Sequence, residues 1–235
     1  MQNLYNCPVC RSVNIHGWLK ITTGGEYSLC ECGAAFLNPR MDDAELKEFY
    51  TSGAYRERTE KDDEGSELAE QQHKARADYL VGLLGNADFS SHLDIGCSSG
   101  HLLKAVEDKY EDIFSMGVDI DPVLKSDDFL VVESLEEVDR EFDLITMMQT
   151  LEHINDPIEM MALVHERLAP SGLFVVEVPN RRANMVAFVP PQHVIAYDDK
   201  SLSHLLKDFR PVETTFHGMP DKSPLDLMIL KMVTK

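Results

Sequence analysis

From His92 to the C-terminus, short apolar runs alternate with segments of helical pattern, and no other feature restricts the fold as much. The runs fall at residues 92–95, 114–119, 129–132, 142–147, 173–178, 212–216 and 227–233. Several are almost continuously apolar, as strands are when helices cover both faces of a parallel sheet. Helical patterns such as 158–168 and 201–209 lie between them. Strand–helix alternation of this kind builds an α/β domain with a doubly wound sheet and right-handed crossovers.

The part upstream has a different character. Residues 1–40 carry Cys7, Cys10, Cys30 and Cys32, two short apolar runs at 17–21 and 27–29, and the turn Thr23-Gly24-Gly25. That is the layout of a metal-stapled β-ribbon. Residues 41–88 are charged and largely helical: Asp42 or Asp43 is suited to cap a helix ending near Tyr50, and Ser66 one running through Leu84. The expected organisation is a knuckle over 1–40, a helical linker or lid over 41–88, and the α/β domain over 89–235.

In a reducing compartment, paired cysteines read as metal ligands before they read as disulfides. Two thiolate pairs separated by a hairpin satisfy a closed, tetrahedral structural zinc site, and Gly33 after Cys32 supplies an unusual backbone angle. A piece of about 40 residues seldom folds on core burial alone, so the metal would supply the missing stability. The second pair has one intervening residue where the first has two, and the competing reading is four buried thiols without metal. Cys97 stands apart, as a small buried loop residue.

Charge narrows the partners. There are 41 Asp and Glu against 22 Lys and Arg, and the one adjacent basic pair is Arg181-Arg182. Such a field repels a phosphate backbone and an anionic membrane surface, so no nucleic acid and no membrane is expected as partner. The acidic run from Glu60 to Glu70 reads as a solvated linker or helix face. No apolar run approaches the ~20 residues that span a bilayer, and the first residues lack the pattern of a signal peptide. A cytoplasmic protein is expected.

The chemistry begins at Leu93-Asp94-Ile95-Gly96-Cys97-Ser98-Ser99-Gly100-His101. An apolar strand enters a loop of small residues and then a helix. Small residues let a ligand approach the backbone, and the helix start offers unpaired N–H groups. A nucleoside bearing a carboxylate and an amine fits there, with Asp94 set to meet the amine. About 20 residues later, Met116-Gly117-Val118-Asp119 ends the next run with an acid, where ribose hydroxyls are gripped in such sheets. Asp121, before Pro122, is suited to cap the following helix. A pyrophosphate-binding loop would require glycine at Ser98 and glycine or alanine at His101, which disfavours a dinucleotide.

With these residues in hand, the chain resembles the class I S-adenosylmethionine (SAM)-dependent methyltransferases, in particular a subgroup with an N-terminal zinc ribbon related to the ubiquinone-biosynthesis and sugar-methyltransferase types. The resemblance covers nearly the whole chain. It is carried by Cys7-Pro8-Val9-Cys10, by Cys30-Glu31-Cys32-Gly33 running into Phe36-Leu37-Asn38-Pro39-Arg40, and by the 94–100 loop with Gly117-Val118-Asp119. It continues through Phe142-Asp143-Leu144-Ile145, Leu151-Glu152-His153-Ile154-Asn155-Asp156-Pro157, Leu168-Ala169-Pro170-Ser171-Gly172, Val178-Pro179-Asn180, and His193 followed by Tyr197. Ser98 departs from the family's more common second glycine.

The resemblance implies a Rossmann-like sheet of seven strands with the last antiparallel, and SAM lying across the carboxyl ends of the first two. Asp94, Gly96, Cys97, Ser98 and Gly100 would hold the methionine and ribose portion. Asp119 would take the ribose hydroxyls and Ile120 would pack on adenine. Ser134 and Leu135 fall at the adenine edge, while Met148 and Gln149 line the methionine portion. The expected function is methyl transfer to a small-molecule acceptor. The alternative is a SAM-binding or protein-interaction module without turnover, using the ribbon as an adaptor.

Methyl transfer needs alignment and, for some acceptors, removal of a proton. Histidine suits that task near neutral pH. His153 follows the fourth strand of the domain, and His193 lies in the loop after the fifth, so these are the catalytic candidates. For both, a structural role competes: fastening a helix start at Glu152-His153, or pinning the loop at His193. Tyr50 and Tyr55 are candidates for a lid.

Overall fold

A computed structural model describes the chain apart from residues 23, 54–66, 86, 122–128, 184, 218–226 and 235. Eleven strands among the described residues form two sheets. The larger takes β4 (Ser91–Ile95), β5 (Phe114–Val118), β6 (Leu130–Val132), β7 (Phe142–Met148), β8 (Leu168–Pro179), β10 (Phe209–His217) and β11 (Leu227–Thr234) in the order β10-β11-β8-β7-β4-β5-β6. The pairs β4–β5, β4–β7, β5–β6 and β7–β8 are parallel, and β11 is antiparallel to both β8 and β10. This is the expected seven-stranded arrangement with its last strand reversed. From β4 the chain builds outward through β5 and β6, then returns to the other flank with β7. Strand order therefore reverses between β4 and β7, the position where such sheets open a ligand crevice at their carboxyl ends.

The unbroken apolar runs follow from burial. Leu144, Ile145 and Met147 in β7 and Phe174, Val176 and Val178 in β8 are fully enclosed. Each such side chain contributes roughly 1.5–3 kcal/mol. Helix α3 (His101–Lys109) starts directly after the β4 loop and buries Leu102, Leu103 and Val106. In α4 (Pro157–Arg167) the Asp156 carboxylate accepts from the Ile158 and Glu159 N–H groups, and proline occupies the first turn. Helix α5 (Asp199–Leu205) begins on an Asp198–Ser201 capping box. Among the described residues, no helix is long and apolar enough to cross a membrane.

The second sheet is antiparallel: β1 (Ile15–Lys20), β2 (Glu26–Cys30), β3 (Ala35–Leu37) and β9 (Ile195–Ala196), in that order. Its fourth strand comes from the far end of the sequence, with Ala35 opposite Ala196 and Phe36 opposite Ile195. The loop after β8 is thereby stitched to the cysteine-bearing ribbon. Arg181 Nε donates to the Gly33 carbonyl at 2.6 Å and Lys200 Nζ to that of Glu31 at 2.6 Å, so both ends of residues 181–200 hold the second cysteine turn.

Helix α1 (Asp43–Thr51) is capped by Asp42 in a reciprocal box with Glu45, and α2 (Glu67–Leu83) follows. Ser66, Tyr55, Thr23, Pro122 and most of the acidic run lie outside the described residues. Most boundaries shift by a residue or two from expectation, and three elements of the α/β domain differ in an instructive way. Strand β8 starts at Leu168, because the Ala169–Gly172 segment bends while Leu168 still pairs with Phe142. Strand β10 runs through Pro211, tolerated at a sheet edge beside a register shift. Helix α5 starts two residues early because Asp198 is its cap, and it ends at Leu205 with Leu206 as its C-cap.

Candidate functional site

The β4 loop is tied to the end of β5. The N–H groups of Gly96 and Cys97 donate to the Val118 carbonyl at 2.7 and 3.2 Å. Gly96 has a φ of +79°, and a Cβ there would lie 2.1 Å from Thr150 Oγ1, so only glycine fits between β4 and the segment after β7. Cys97 Sγ fills the space over Gly117, where a Cβ would come within 2.5 Å of the sulfur. Burial holds the Cys97 thiol far above its usual range, which makes it packing and no nucleophile.

Asp119 reaches back over the loop. Its Oδ2 accepts from the Ser98 N–H at 2.9 Å and its Oδ1 from the Asp121 N–H at 3.0 Å. Ser98 adopts a left-handed φ of 46°, a cost of about 1–2 kcal/mol that the Asp119 bond offsets. The loop and the acid are therefore one unit.

Asp94 lies beneath, 4 % exposed. Thr146 Oγ1 donates to its Oδ1 at 2.7 Å and in turn accepts from His92 Nε2 at 2.8 Å. Burial pushes the Asp94 carboxyl up to about 7; the Thr146 bond opposes this and the nearby Asp119 charge adds to it. Burial pushes His92 down to about 3, so it stays neutral. A cationic group brought against Asp94 would draw off its proton.

Across the crevice, Gln149 has a φ of 53°. Its N–H donates to the Glu177 carbonyl at 2.9 Å and its Nε2 to Glu177 Oε1 at 3.2 Å. Glu177 is fully enclosed and ion-paired with Arg76 of α2. Met148 is half-buried against the helical face of the sheet. On the far side, Ile120 is half-buried next to Asp121. Ser134 caps a short 3-10 turn, and the Leu135 side chain points into the core at 2 % exposure.

A second cluster brings His153 and His193 together, with ring centroids 4.9 Å apart. His153 Nδ1 lies 2.9 Å from the Gln192 carbonyl and 2.8 Å from the Tyr50 hydroxyl. A carbonyl only accepts, so Nδ1 carries the proton and Nε2 a lone pair. That Nε2 is 4.0 Å from Glu152 Oε1. Among the described residues, His193 Nδ1 and both Glu152 carboxylate oxygens are buried with no hydrogen-bond partner. Burial pushes His153 down to about 4 and His193, aided by His153, to about 3. Burial pushes Glu152 up to about 8, with its own backbone N–H and Arg76 pulling the other way.

The four N-terminal sulfurs form a third centre. Cys7 Sγ is 3.7 Å from Cys32 Sγ, and Cys10 Sγ is 3.5 Å from Cys30 Sγ. Tetrahedral zinc–thiolate bonds of about 2.3 Å put sulfurs about 3.8 Å apart, whereas a disulfide requires about 2 Å. The donor set fits zinc. Gly33, with a φ of +100°, brings its turn so close to Asp198 that a Cβ would lie 2.4 Å from Oδ1.

A family described as "Methyltransferase domain" matches residues 67–209, more than half of the sequence. The chain belongs to this methyltransferase family. Among curated relatives, the chain is 24% identical over 165 residues to the ubiquinone biosynthesis O-methyltransferase of Sodalis glossinidius, covering 64% of this chain and 66% of the relative. It is 24% identical over 136 residues to that of Pseudomonas aeruginosa strain UCBPP-PA14, covering 52% and 59%. It thus spans about half to two thirds of the length of these relatives. Magnesium protoporphyrin IX methyltransferase from Synechocystis PCC 6803, solved with bound S-adenosylhomocysteine (SAH), shares the fold with a TM-score of 0.59 at 14% identity, covering 83% of this chain and 100% of that one. The plantazolicin methyltransferase in complex with SAH does so at 0.59 and 12%, covering 81% and 94%.

Arg76, Thr146 and Glu177 join the site although no expectation from the sequence names them, and Glu152, a helix fastener by its sequence, is buried beside His153. Glu177 had a signal: a lone carboxylate inside the apolar strand Val175-Val176-Glu177-Val178.

Proposed function

We propose that this methyltransferase uses SAM to methylate a small-molecule acceptor, and that the Asp119–Ser98 contact marks the adenosyl site. The single observation that supports this most is that carboxylate lying 2.9 Å from the loop N–H. In this reading the 96–100 loop receives the adenosyl group, and Asp119 accepts from the ribose hydroxyls. Ile120 packs on adenine, with Ser134 and the Leu135 backbone at its edge. Asp94 meets the amine, and Met148 and Gln149 line the methionine portion.

When bound, SAM supplies a methyl group on a sulfonium whose departure leaves a neutral thioether. The protein's task is then to align the acceptor, exclude water and handle a proton. In this reading His153 and His193 face the acceptor as neutral imidazoles, positioning it by hydrogen bonding, because burial holds both well below the range in which they would keep a proton. Oxygen is the acceptor atom that the ubiquinone-type relatives favour. The four cysteines hold structural zinc, a closed site that orders the ribbon and, through β9, the loop carrying His193.

Calorimetry with SAH tests the assignment. The expected result is saturable binding, weakened at least about tenfold by Asp119→Ala. Binding that ignores Asp119→Ala, or no binding to the folded chain, would overturn it. The rival reading, SAM binding without turnover, predicts SAH affinity but no methyl transfer to any member of a broad panel of hydroxyl and amine acceptors.

A further inference from the structure

We propose that Glu152, His153 and His193 form a second metal site, taking one divalent transition ion of the zinc or cobalt class, separate from the four cysteines. The proposal rests on the acceptor-side reading of the two histidines and gives that face its chemistry.

Three observations converge. First, Glu152 is 1 % exposed with both carboxylate oxygens unpartnered among the described residues. A buried carboxylate left so costs several kcal/mol, which a cation relieves directly. Second, each imidazole is already turned as a metal ligand is. His153 gives its Nδ1–H to the Gln192 carbonyl at 2.9 Å and turns Nε2 to within 4.0 Å of Glu152 Oε1, with the Gln149 carbonyl also against its ring, while the His193 ring is held by the Ala187 and Val186 carbonyls and keeps Nδ1 without a partner among the described residues. A backbone carbonyl on the far nitrogen is the usual support for a ligating histidine. Third, one ligand atom from each residue lies within 4.8 Å of the others. A tetrahedral ion binding nitrogen and oxygen at about 2.0–2.2 Å sets neighbouring donors about 3.4 Å apart, so the widest pair must close by up to about 1.4 Å, about 0.7 Å from each side chain.

The local charge agrees. Glu152 and Glu177 bring two carboxylates against the single guanidinium of Arg76, which is already paired with Glu177. Two imidazoles and one carboxylate suit borderline ions such as zinc or cobalt better than magnesium, calcium or manganese, which prefer oxygen-rich sets. Three protein ligands also leave coordination positions open, unlike the closed cysteine centre, and an ion there lowers the pKa of an oxygen that it binds. With both imidazole lone pairs on the ion, a hydroxyl acceptor bound to it loses its proton to solvent and not to His193.

The test is cobalt(II) titration of the full chain carrying its ribbon zinc, read by visible absorption. The expected result is one equivalent bound with the weak bands of nitrogen and oxygen ligands, and without intense thiolate charge-transfer bands. Glu152→Gln and His193→Gln should each remove those bands, while a cooperative melt and unchanged SAH affinity show that the variants fold. Absence of saturable binding, thiolate bands alone, or full binding in both variants would overturn the proposal. Cobalt binding in a chain that fails to bind SAH would sink the cofactor reading and leave this site standing, and the reverse result would do the opposite.

Discussion

The Asp94 carboxyl should make cofactor binding pH-dependent. In the free protein burial lifts it from its ordinary 3.8 to about 7. That is roughly three pH units, or about 4 kcal/mol in favour of the neutral acid. A cofactor ammonium set against Asp94 stabilises the carboxylate and draws the group back toward its ordinary range, so binding expels a proton where the pH lies between that range and about 7. Affinity must then rise with pH and level off above 7. Between about pH 6 and pH 8 the gain is about tenfold, because the fraction already ionised rises from about a tenth to nearly all. Calorimetry with SAH in buffers of different ionisation enthalpy reads both the affinity and the proton, with close to one proton released per site near pH 6. Asp94→Asn should flatten the profile. The same shift has a stability counterpart of fixed sign. A carboxyl whose folded value is raised stabilises fully below 3.8 and loses that contribution as pH rises through about 7. Asp94→Asn should therefore raise the unfolding free energy of the unliganded chain more at pH 8 than at pH 5. A pH-independent SAH affinity, or a slope that survives Asp94→Asn, would refute the reasoning.

Other consequences are as direct. Gly96→Ala forces a Cβ to 2.1 Å from Thr150 Oγ1 at a φ of +79°, so it should lower the melting temperature and abolish measurable SAH binding. Arg76→Met leaves Glu177 enclosed without its cation and should cost about 3–5 kcal/mol in urea unfolding, most of it recovered in the Arg76→Met, Glu177→Gln double variant. Cys30→Ser should remove one equivalent of zinc and raise hydrogen exchange across 181–200, through the contacts of Arg181 and Lys200 to the cysteine turn, while β4 and β5 stay protected. Ile145→Ala, at a fully enclosed position of β7, should cost about 2–5 kcal/mol without changing the SAH stoichiometry.

What could be read from the chain depended on how local the cause was. The runs at 92–95 and 142–147 announce β4 and β7 because a strand covered on both faces is apolar throughout. Asp119 could be set beside the Gly96–Gly100 turn because parallel neighbours bring their carboxyl ends together, and the register places Asp94 opposite Gly117. Capping of α1 by Asp42 is likewise a four-residue pattern. Strands β3 and β9 left no such trace. Three and two residues are too few for periodicity, and their pairing joins Phe36 to Ile195, which no local signal encodes. Arg76 meets Glu177, and Glu152 meets His193, only once the crossover helices and the ribbon are in place. The two histidines could be picked out, but not the buried acid between them, because Glu152 in sequence looks like an ordinary residue at a helix start.

The most direct measurement is a crystal structure of the chain with SAH. The adenosyl group is expected on residues 96–100, with both ribose hydroxyls within hydrogen-bond distance of the Asp119 carboxylate and the amine facing Asp94. An adenosyl group bound elsewhere, or a ribose that leaves Asp119 untouched, would contradict the account.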